Sequence, residues 1–416
     1  MPSTLKRLYA VWVGVVIAFY TGARVRLGDP NGAEMGASDP LNTVLTLSVL
    51  ICGVGLVLRF PRRALSLLAA MVPFLLMLSI MVLSALWSDS AENTIRRSVT
   101  MAGVLLFALS TQITLGPERF MRISVGATLT VAVLSLLEAV LRPAYGFDTG
   151  DYANAIRGLY GQKNTFGMGL LAGALALSFG VLHRGRLRLS DPVILLFLLL
   201  CLVLSRSTTS LLLTCAISGI TLMMLALASP GVPRIVVAIA LLSGGFATVL
   251  LLSTVQTAEL LDLIGKDSSL TGRTEIWEAI DEAIARRPLL GYGYAAFWIE
   301  GSANVLRVWD HVAWEVISAH SGYREVMVQF GLVGIMLLVF LVASTLVFTV
   351  RAALRGEGRI SVWLLMFLGV LAVLNNSESV LLGPSLMMIY WIVAVLTLAG
   401  VPTPARCEGG VRLRRT

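Results

Sequence analysis

Residues 271–298 read TGRTEIWEAIDEAIARRPLLGYGYAAFW, and residues 317–334 read ISAHSGYREVMVQFGLVG before the chain returns to long apolar sequence. In the first of these, Ile276, Ala279, Ile280, Ala283 and Ile284 recur at helical spacing, with Glu275, Glu278, Asp281 and Glu282 opposite them. That periodicity predicts an amphipathic helix from about Thr274 to Arg286. Thr271 or Gly272 caps it, early acids and late arginines (Arg286, Arg287) suit the helix dipole, and Pro288, Gly291 and Gly293 end it. The expected place for such a helix is a membrane surface.

Everything around this stretch argues for a bilayer. A chain of 416 residues with 57% hydrophobic and 13% charged residues and a mean hydropathy of +0.85 is an all-α polytopic integral membrane protein rather than a soluble globule. Apolar runs bounded by charge, Gly or Pro fall near residues 8–23, 41–58, 65–86, 98–115, 121–141, 165–182, 191–204, 208–228, 235–253, 325–350, 361–374 and 380–400, which predicts about 12 transmembrane helices. The first run has Lys6 and Arg7 before it and no small-residue cleavage site after it, so it is read as a retained helix. No internal repeat or low-complexity domain interrupts the series. The expected division is helices 1–9 over residues 1–253, a long periplasmic loop carrying the amphipathic helix over 254–324, helices 10–12 over 325–400 and a basic cytoplasmic tail over 401–416.

The net charge of +8 does not indicate nucleic acid. The arginines sit in short clusters between apolar runs, where they set topology rather than track phosphates. The short alternate connections and the two termini hold 18 of the 32 Lys and Arg. Those segments therefore face the cytoplasm, and the long connections 142–164 and 254–324 face the opposite side of the membrane. The cysteines Cys52, Cys201, Cys215 and Cys407 are scattered, which indicates neither a disulfide framework nor a zinc site.

Three histidines are available for chemistry. His183 lies in the basic HRGRLRLSD connection and reads as a solvated residue on the wrong side. His311 and His320 fall in the long loop with no third His or Cys beside them, which argues against a metal site. A lone His320 at the membrane edge would ordinarily be a hydrogen-bonded structural residue. Arg273 stands in the first turn of the amphipathic helix, where backbone N–H groups already favour an anion and a guanidinium adds a bidentate contact. Arg157 precedes the glycine-rich turn that holds Gly158, Gly161, Lys163 and Asn164, another place where backbone donors approach a phosphate. Arg206, in LSRSTTS, is either a third contact to the same cavity or a snorkelling interfacial residue. Glu378, in the NNSES turn, is an intramembrane acid and so a supporting residue. Trp277, Tyr292, Tyr294, Phe297, Trp298 and Trp309 read as an interfacial belt, or as platforms for sugar rings.

These same segments resemble the superfamily of bacterial O-antigen ligases and polysaccharide polymerases. The G-R-x-x-x-W helix is Gly272, Arg273 and Trp277; P-x-x-G-x-G is Pro288, Gly291 and Gly293; A-H-[SN] is Ala319, His320 and Ser321. RGLYGQKNTFG (157–167) and LSRSTTSLLL are similar to the exopolysaccharide polymerase branch. The resemblance implies a metal-independent, cofactor-free glycosyltransferase that uses an undecaprenyl-pyrophosphate-linked glycan donor and a glycan acceptor at the periplasmic face. In it His320 is the general base, Arg273, Arg157 and Arg206 bind the pyrophosphate, and Lys163, Asn164, Glu378, His311 and Trp277 support them. The bilayer, a flippase and chain-length or export proteins would be its partners. Two alternatives stay open: a ligase moving finished glycan to lipid A core, and a transporter or channel, which would show charges within its helices and broken helices in related halves.

Overall fold

The computed structural model describes residues 3–24, 40–149, 154–228 and 273–399, and among these it is helical throughout, with one isolated bridge between Phe147 and Ile156 in place of any strand. The expected span 235–253, loop residues 254–272 with the caps Thr271 and Gly272, and the basic tail lie outside the described residues.

In order the helices are α1 (Ser3–Tyr20), α2 (Pro40–Arg59), α3 (Pro61–Leu83), α4 (Ala91–Thr114), α5 (Gly116–Leu141), the single turn α6 (Pro143–Gly146), α7 (Lys163–Arg184), α8 (Ser190–Ser205), α9 (Thr208–Leu227), α10 (Arg273–Arg286), α11 (Ala303–Val312), α12 (Gly322–Leu354), α13 (Gly358–Leu374) and α14 (Leu386–Leu398). Five are long and apolar enough to cross a membrane: α3 with its 3-10 extension to Leu86, α5, α7, α9 and α12. Four shorter apolar helices accompany them, at Thr43–Arg59, Ser190–Ser205, Gly358–Leu374 and Leu386–Leu398. Side chains such as Leu58 (73% exposed) and Val140 (76%) stand bare on the outer faces, as lipid-facing residues do and core residues of a soluble protein do not. The centre of the bundle is α14, whose Met387–Val395 run is buried throughout, with α7 beside α5 and α9. Trp363 of α13 ties the two sides by donating its indole N–H to Leu175 O at 2.9 Å.

The last span begins at Leu386, six residues later than its hydropathy suggests. Asn375 Oδ1 accepts the backbone N–H groups of Val380 and Leu381, which folds residues 379–385 into a loop, and Ser385 then caps α14. Apolar composition marked the segment; the asparagine and Pro384 decide that its first residues do not join the helix.

The amphipathic helix also differs from expectation. α10 is present, one residue longer than predicted, but its stripe of Ile276, Ala279, Ile280 and Ala283 is buried in protein rather than laid on lipid. It packs on Val308 and Val312 of α11 and on Val328 of α12. An apolar face states that something covers it, not what does. Here the loop supplies its own cover through α11, which Ser302 caps by accepting Val305 N–H and whose Val308 and Val312 face α10. Nor do the aromatics form a belt. Tyr292, Tyr294 and Phe297 are buried, Tyr292 donates to Ala283 O, and Trp309 donates to Val316 O.

The Pro288–Gly293 turn locks this loop onto the membrane helices. α12 is broken at Gly331 (φ 58°, ψ −145°), and the turn lies in the break. Tyr292 N–H and Gly293 N–H donate to Val328 O and Gln329 O, while Leu332 N–H and Val333 N–H donate to Pro288 O and Leu289 O. Four backbone groups freed by the break are thus satisfied by the turn, the condition for non-helical backbone at membrane depth. A Cβ on Gly331 would stand 2.5 Å from Pro288 O, and one on Gly291 would stand 2.5 Å from Gln329 C, so both positions need glycine for close approach as well as for positive φ.

Candidate active site

His320 sits at the junction between the loop and α12, in a left-handed conformation (φ 44°) that costs a non-glycine residue about 1–2 kcal/mol. Such a turn persists where its surroundings over-determine it, and here both backbone groups of the preceding residue are held. Ala319 is fully buried. Its carbonyl accepts the Trp277 indole N–H at 3.0 Å, and its N–H donates to Glu325 Oε2 at 3.2 Å. Glu325 is itself held by Trp298 Nε1 and by Gln329 Nε2 at 2.8 Å. On the far side, Gly322 N–H donates to Asn375 O.

Three distant segments converge beside this turn. Arg273, the first residue of α10, places Nη2 3.5 Å from Glu378 Oε1. Glu378 is 8% exposed, and its Oε1 also accepts Asn164 Nδ2–H at 2.9 Å from the first turn of α7. Burial pushes the Glu378 carboxyl up to about 7, although the charges of Arg273 and Lys163 and the Asn164 hydrogen bond pull it down. Burial, and after it the Arg273 charge, hold His320 down at about 4. At neutral pH the imidazole is therefore uncharged and has a lone pair to accept a proton. Glu378 is near its midpoint there, so its hold on Arg273 is partial.

Residues 193–339, which contain Arg273, Trp277 and His320, match the family model described as O-antigen ligase. The exopolysaccharide production protein ExoQ of Rhizobium meliloti (strain 1021) is 28% identical to the chain over 269 residues, 62% of this chain and 60% of the relative's length. The chain is O-antigen-ligase-like, of the ExoQ-like kind.

The other residues that the sequence offered to this O-antigen-ligase-like site separate. Lys163 and Asn164 belong to the cluster through Glu378, and Trp277 belongs through Ala319. Arg157 does not face an open cleft. Its side chain is 4% exposed and 3.9 Å from Asp148, and it donates to Tyr145 O, Ala144 O and Gly161 O. It ties together the chain around residues 144–148 and 161. Arg206 is an exposed, left-handed C-cap of α8. His311 is exposed on α11, 3.7 Å from Glu278, and is not paired with His320. Among the described residues no three His, Cys, Asp or Glu side chains gather to hold a metal ion.

Glu325 is the residue that sequence reasoning passed over. It opens a run taken as pure membrane span, yet an acid in such a run is a functional signal by default. From this geometry Trp277→Phe is expected to leave the Ala319 carbonyl unsatisfied, at about 1–3 kcal/mol. Product formation should slow by about tenfold while donor binding and expression stay normal. An unchanged rate, measured on detergent-purified protein, would reduce Trp277 to packing.

Directly after Glu378, residues 379–384 separate two hollows. One is an apolar groove of about 290 Å³, lined by Tyr20 near the end of α1, Met168 and Ala172 of α7, and Leu386 and Met387 of α14. The other is larger, about 570 Å³, with polar and charged side chains among apolar ones.

Proposed function

We propose that the chain is a polymerase that joins undecaprenyl-pyrophosphate-linked oligosaccharide repeat units at the periplasmic face of the inner membrane during exopolysaccharide synthesis. The observation that carries this reading is the uncharged, half-buried imidazole of His320 beside the Arg273 guanidinium at the mouth of a membrane bundle. In the reaction an acceptor hydroxyl oxygen attacks the anomeric carbon of the donor sugar. A carbon–oxygen bond forms there as the bond from that carbon to the phosphate oxygen breaks, in a single inverting displacement. His320 takes the hydroxyl proton. The bonding pair leaves with the lipid pyrophosphate, whose charge Arg273 and Lys163 neutralise. The groove between α1, α7 and α14 accepts the polyprenyl chain. The positive-inside distribution supports about twelve spans, both termini in the cytoplasm and the 254–324 loop outside. A flippase to deliver the donor and chain-length or export proteins to receive the product complete the setting. The likeness to ExoQ favours the polymerase over a ligase acting on lipid A core.

Deletion tests the reading. Single lipid-linked repeat units should accumulate and long polymer should vanish; accumulation of long lipid-linked chains would indicate the ligase instead, and unchanged lipid-linked products would remove both.

Glu378 makes the donor's affinity pH-dependent. Its carboxylate competes with the diphosphate for Arg273, and an incoming diphosphate raises the Glu378 pKa further, so binding takes up a proton. Affinity is expected to rise as pH falls toward about 7 and to level off below it, where the free carboxyl is already protonated. Glu378→Gln should flatten that dependence between pH 6 and 8, measured by titrating the purified protein with lipid pyrophosphate.

A further inference from the structure

We propose that the cavity of about 570 Å³, with its mixed polar and apolar lining, is a saccharide subsite, in which Arg97, Tyr294, Ser379 and Trp298 hold a sugar of the glycan next to the reacting one. This rests on the glycosyl-transfer reading and adds to it a place for the sugar beyond the cluster of His320, Arg273 and Glu378. The cavity lies between the outer end of α4, the loop segment after Gly293 and residues 379–384. Its volume is within the roughly 300–1,000 Å³ of sites that bury small ligands.

Two features show that the lining is unfinished within the protein. Tyr294 Oη and Ser379 Oγ are both buried with no hydrogen-bond partner among the described residues; Tyr294 as a whole is 3% exposed. A buried hydroxyl left unmatched is costly and calls for an explanation. The second feature is Arg97, which lines the same cavity and forms no ion pair with a described carboxylate. Its neighbour Arg96 donates only to Asn93 Oδ1, at 2.8 Å.

The chemistry of the lining selects the ligand. Glu92 and Glu300 line the cavity together with the two arginines, so it is not a dedicated anion site, and its charged rim is no place for an acyl chain. Guanidinium, carboxylate, amide and hydroxyl groups around the partly exposed ring of Trp298 suit a ligand whose hydroxyls both donate and accept and whose C–H faces stack on an aromatic ring. A pyranose has those properties. Position agrees, because Ser379 follows Glu378 and Ser318, also in the lining, lies two residues before His320. A sugar held here is within one glycosidic step of the reacting bond, as the donor's second residue or as the acceptor's penultimate one.

The test uses full-length protein in nanodiscs and, as probe, the lipid-free oligosaccharide repeat unit obtained by enzymatic digestion of the host's own polymer, with binding read by saturation-transfer NMR and calorimetry. Wild type and His320→Ala should bind it alike. Tyr294→Phe and Arg97→Gln should each weaken binding by about tenfold without lowering the melting temperature. Tyr294→Phe is the decisive variant, since it removes only a hydroxyl that makes no hydrogen bond among the described residues. Displacement of the probe by lipid-linked donor would assign the subsite to the donor, and simultaneous binding would assign it to the acceptor. Failure of wild type to bind, or unchanged binding by both variants, overturns the subsite. If polymer formation still depends on His320, the glycosyl-transfer reading survives that failure; if it does not, that reading falls whatever the cavity binds.

Discussion

Replacing His320 with alanine is expected to abolish polymer formation in cells while the protein inserts and accumulates normally. A positioned general base contributes about 10²–10⁴-fold, more than enough to remove visible product. The alanine variant should still bind donor, because the diphosphate contacts come from Arg273 and Lys163. His183→Ala is the control: His183 lies at the opposite end of α7, exposed and 3.8 Å from Glu118, and its loss should be nearly silent. In the wild type the pH–rate profile should keep a working base down to about pH 4 and fall below it, as the imidazole protonates. Loss of activity on lowering the pH from 7 to 5, at saturating donor, would contradict a base held low by burial and by the Arg273 charge. Near-normal polymer from His320→Ala would end the proposal.

The second large effect belongs to Arg273. A structural partner of Glu378 would tolerate lysine, because a point charge can pair with one carboxylate. A diphosphate clamp would not, because lysine lacks the planar fork that meets two phosphate oxygens. Arg273→Lys is therefore expected to lose about a hundredfold in rate, or around 3 kcal/mol of transition-state stabilisation, with normal expression and weaker donor binding. Arg157→Lys should behave differently. Its guanidinium spans three backbone carbonyls and Asp148, so the expected result is lower expression or thermal stability at a given donor affinity. Wild-type turnover by Arg273→Lys would return Arg273 to a structural role.

How far these assignments could be read from the chain varies with the physics behind each. Helices declared themselves, because every span must satisfy its backbone internally and present apolar side chains to lipid; α5, α8 and α9 lie within a few residues of where composition places them. Periodicity likewise located α10 and gave its buried face, but could not say that α11 rather than a bilayer covers it. The break at Gly331 stayed hidden, since nothing local in GLVG states that a turn some forty residues upstream will occupy it. In the site, His320, Arg273 and Trp277 were legible through their motif, and Asn164 and Lys163 through their place at the start of α7. Glu378 was visible as an acid in membrane but not as the partner of Arg273, because that pairing joins residues brought together only by the packing of α7, α10 and the 375–385 loop. The backbone contacts of Arg157 were hidden for the complementary reason: a glycine-rich turn with an arginine looks the same whether its donors face a ligand or its own carbonyls.

The central claim is that His320 and Arg273 transfer a glycan from a lipid pyrophosphate, and reconstitution tests it most directly. Purified protein in liposomes would be supplied with lipid-pyrophosphate-linked repeat units, with elongated glycan and liberated undecaprenyl pyrophosphate measured together. Wild type should release one lipid pyrophosphate for each linkage formed, and His320→Ala should bind the donor but yield neither product. Elongation by His320→Ala at the wild-type rate, or elongation by wild type without release of lipid pyrophosphate, would contradict it.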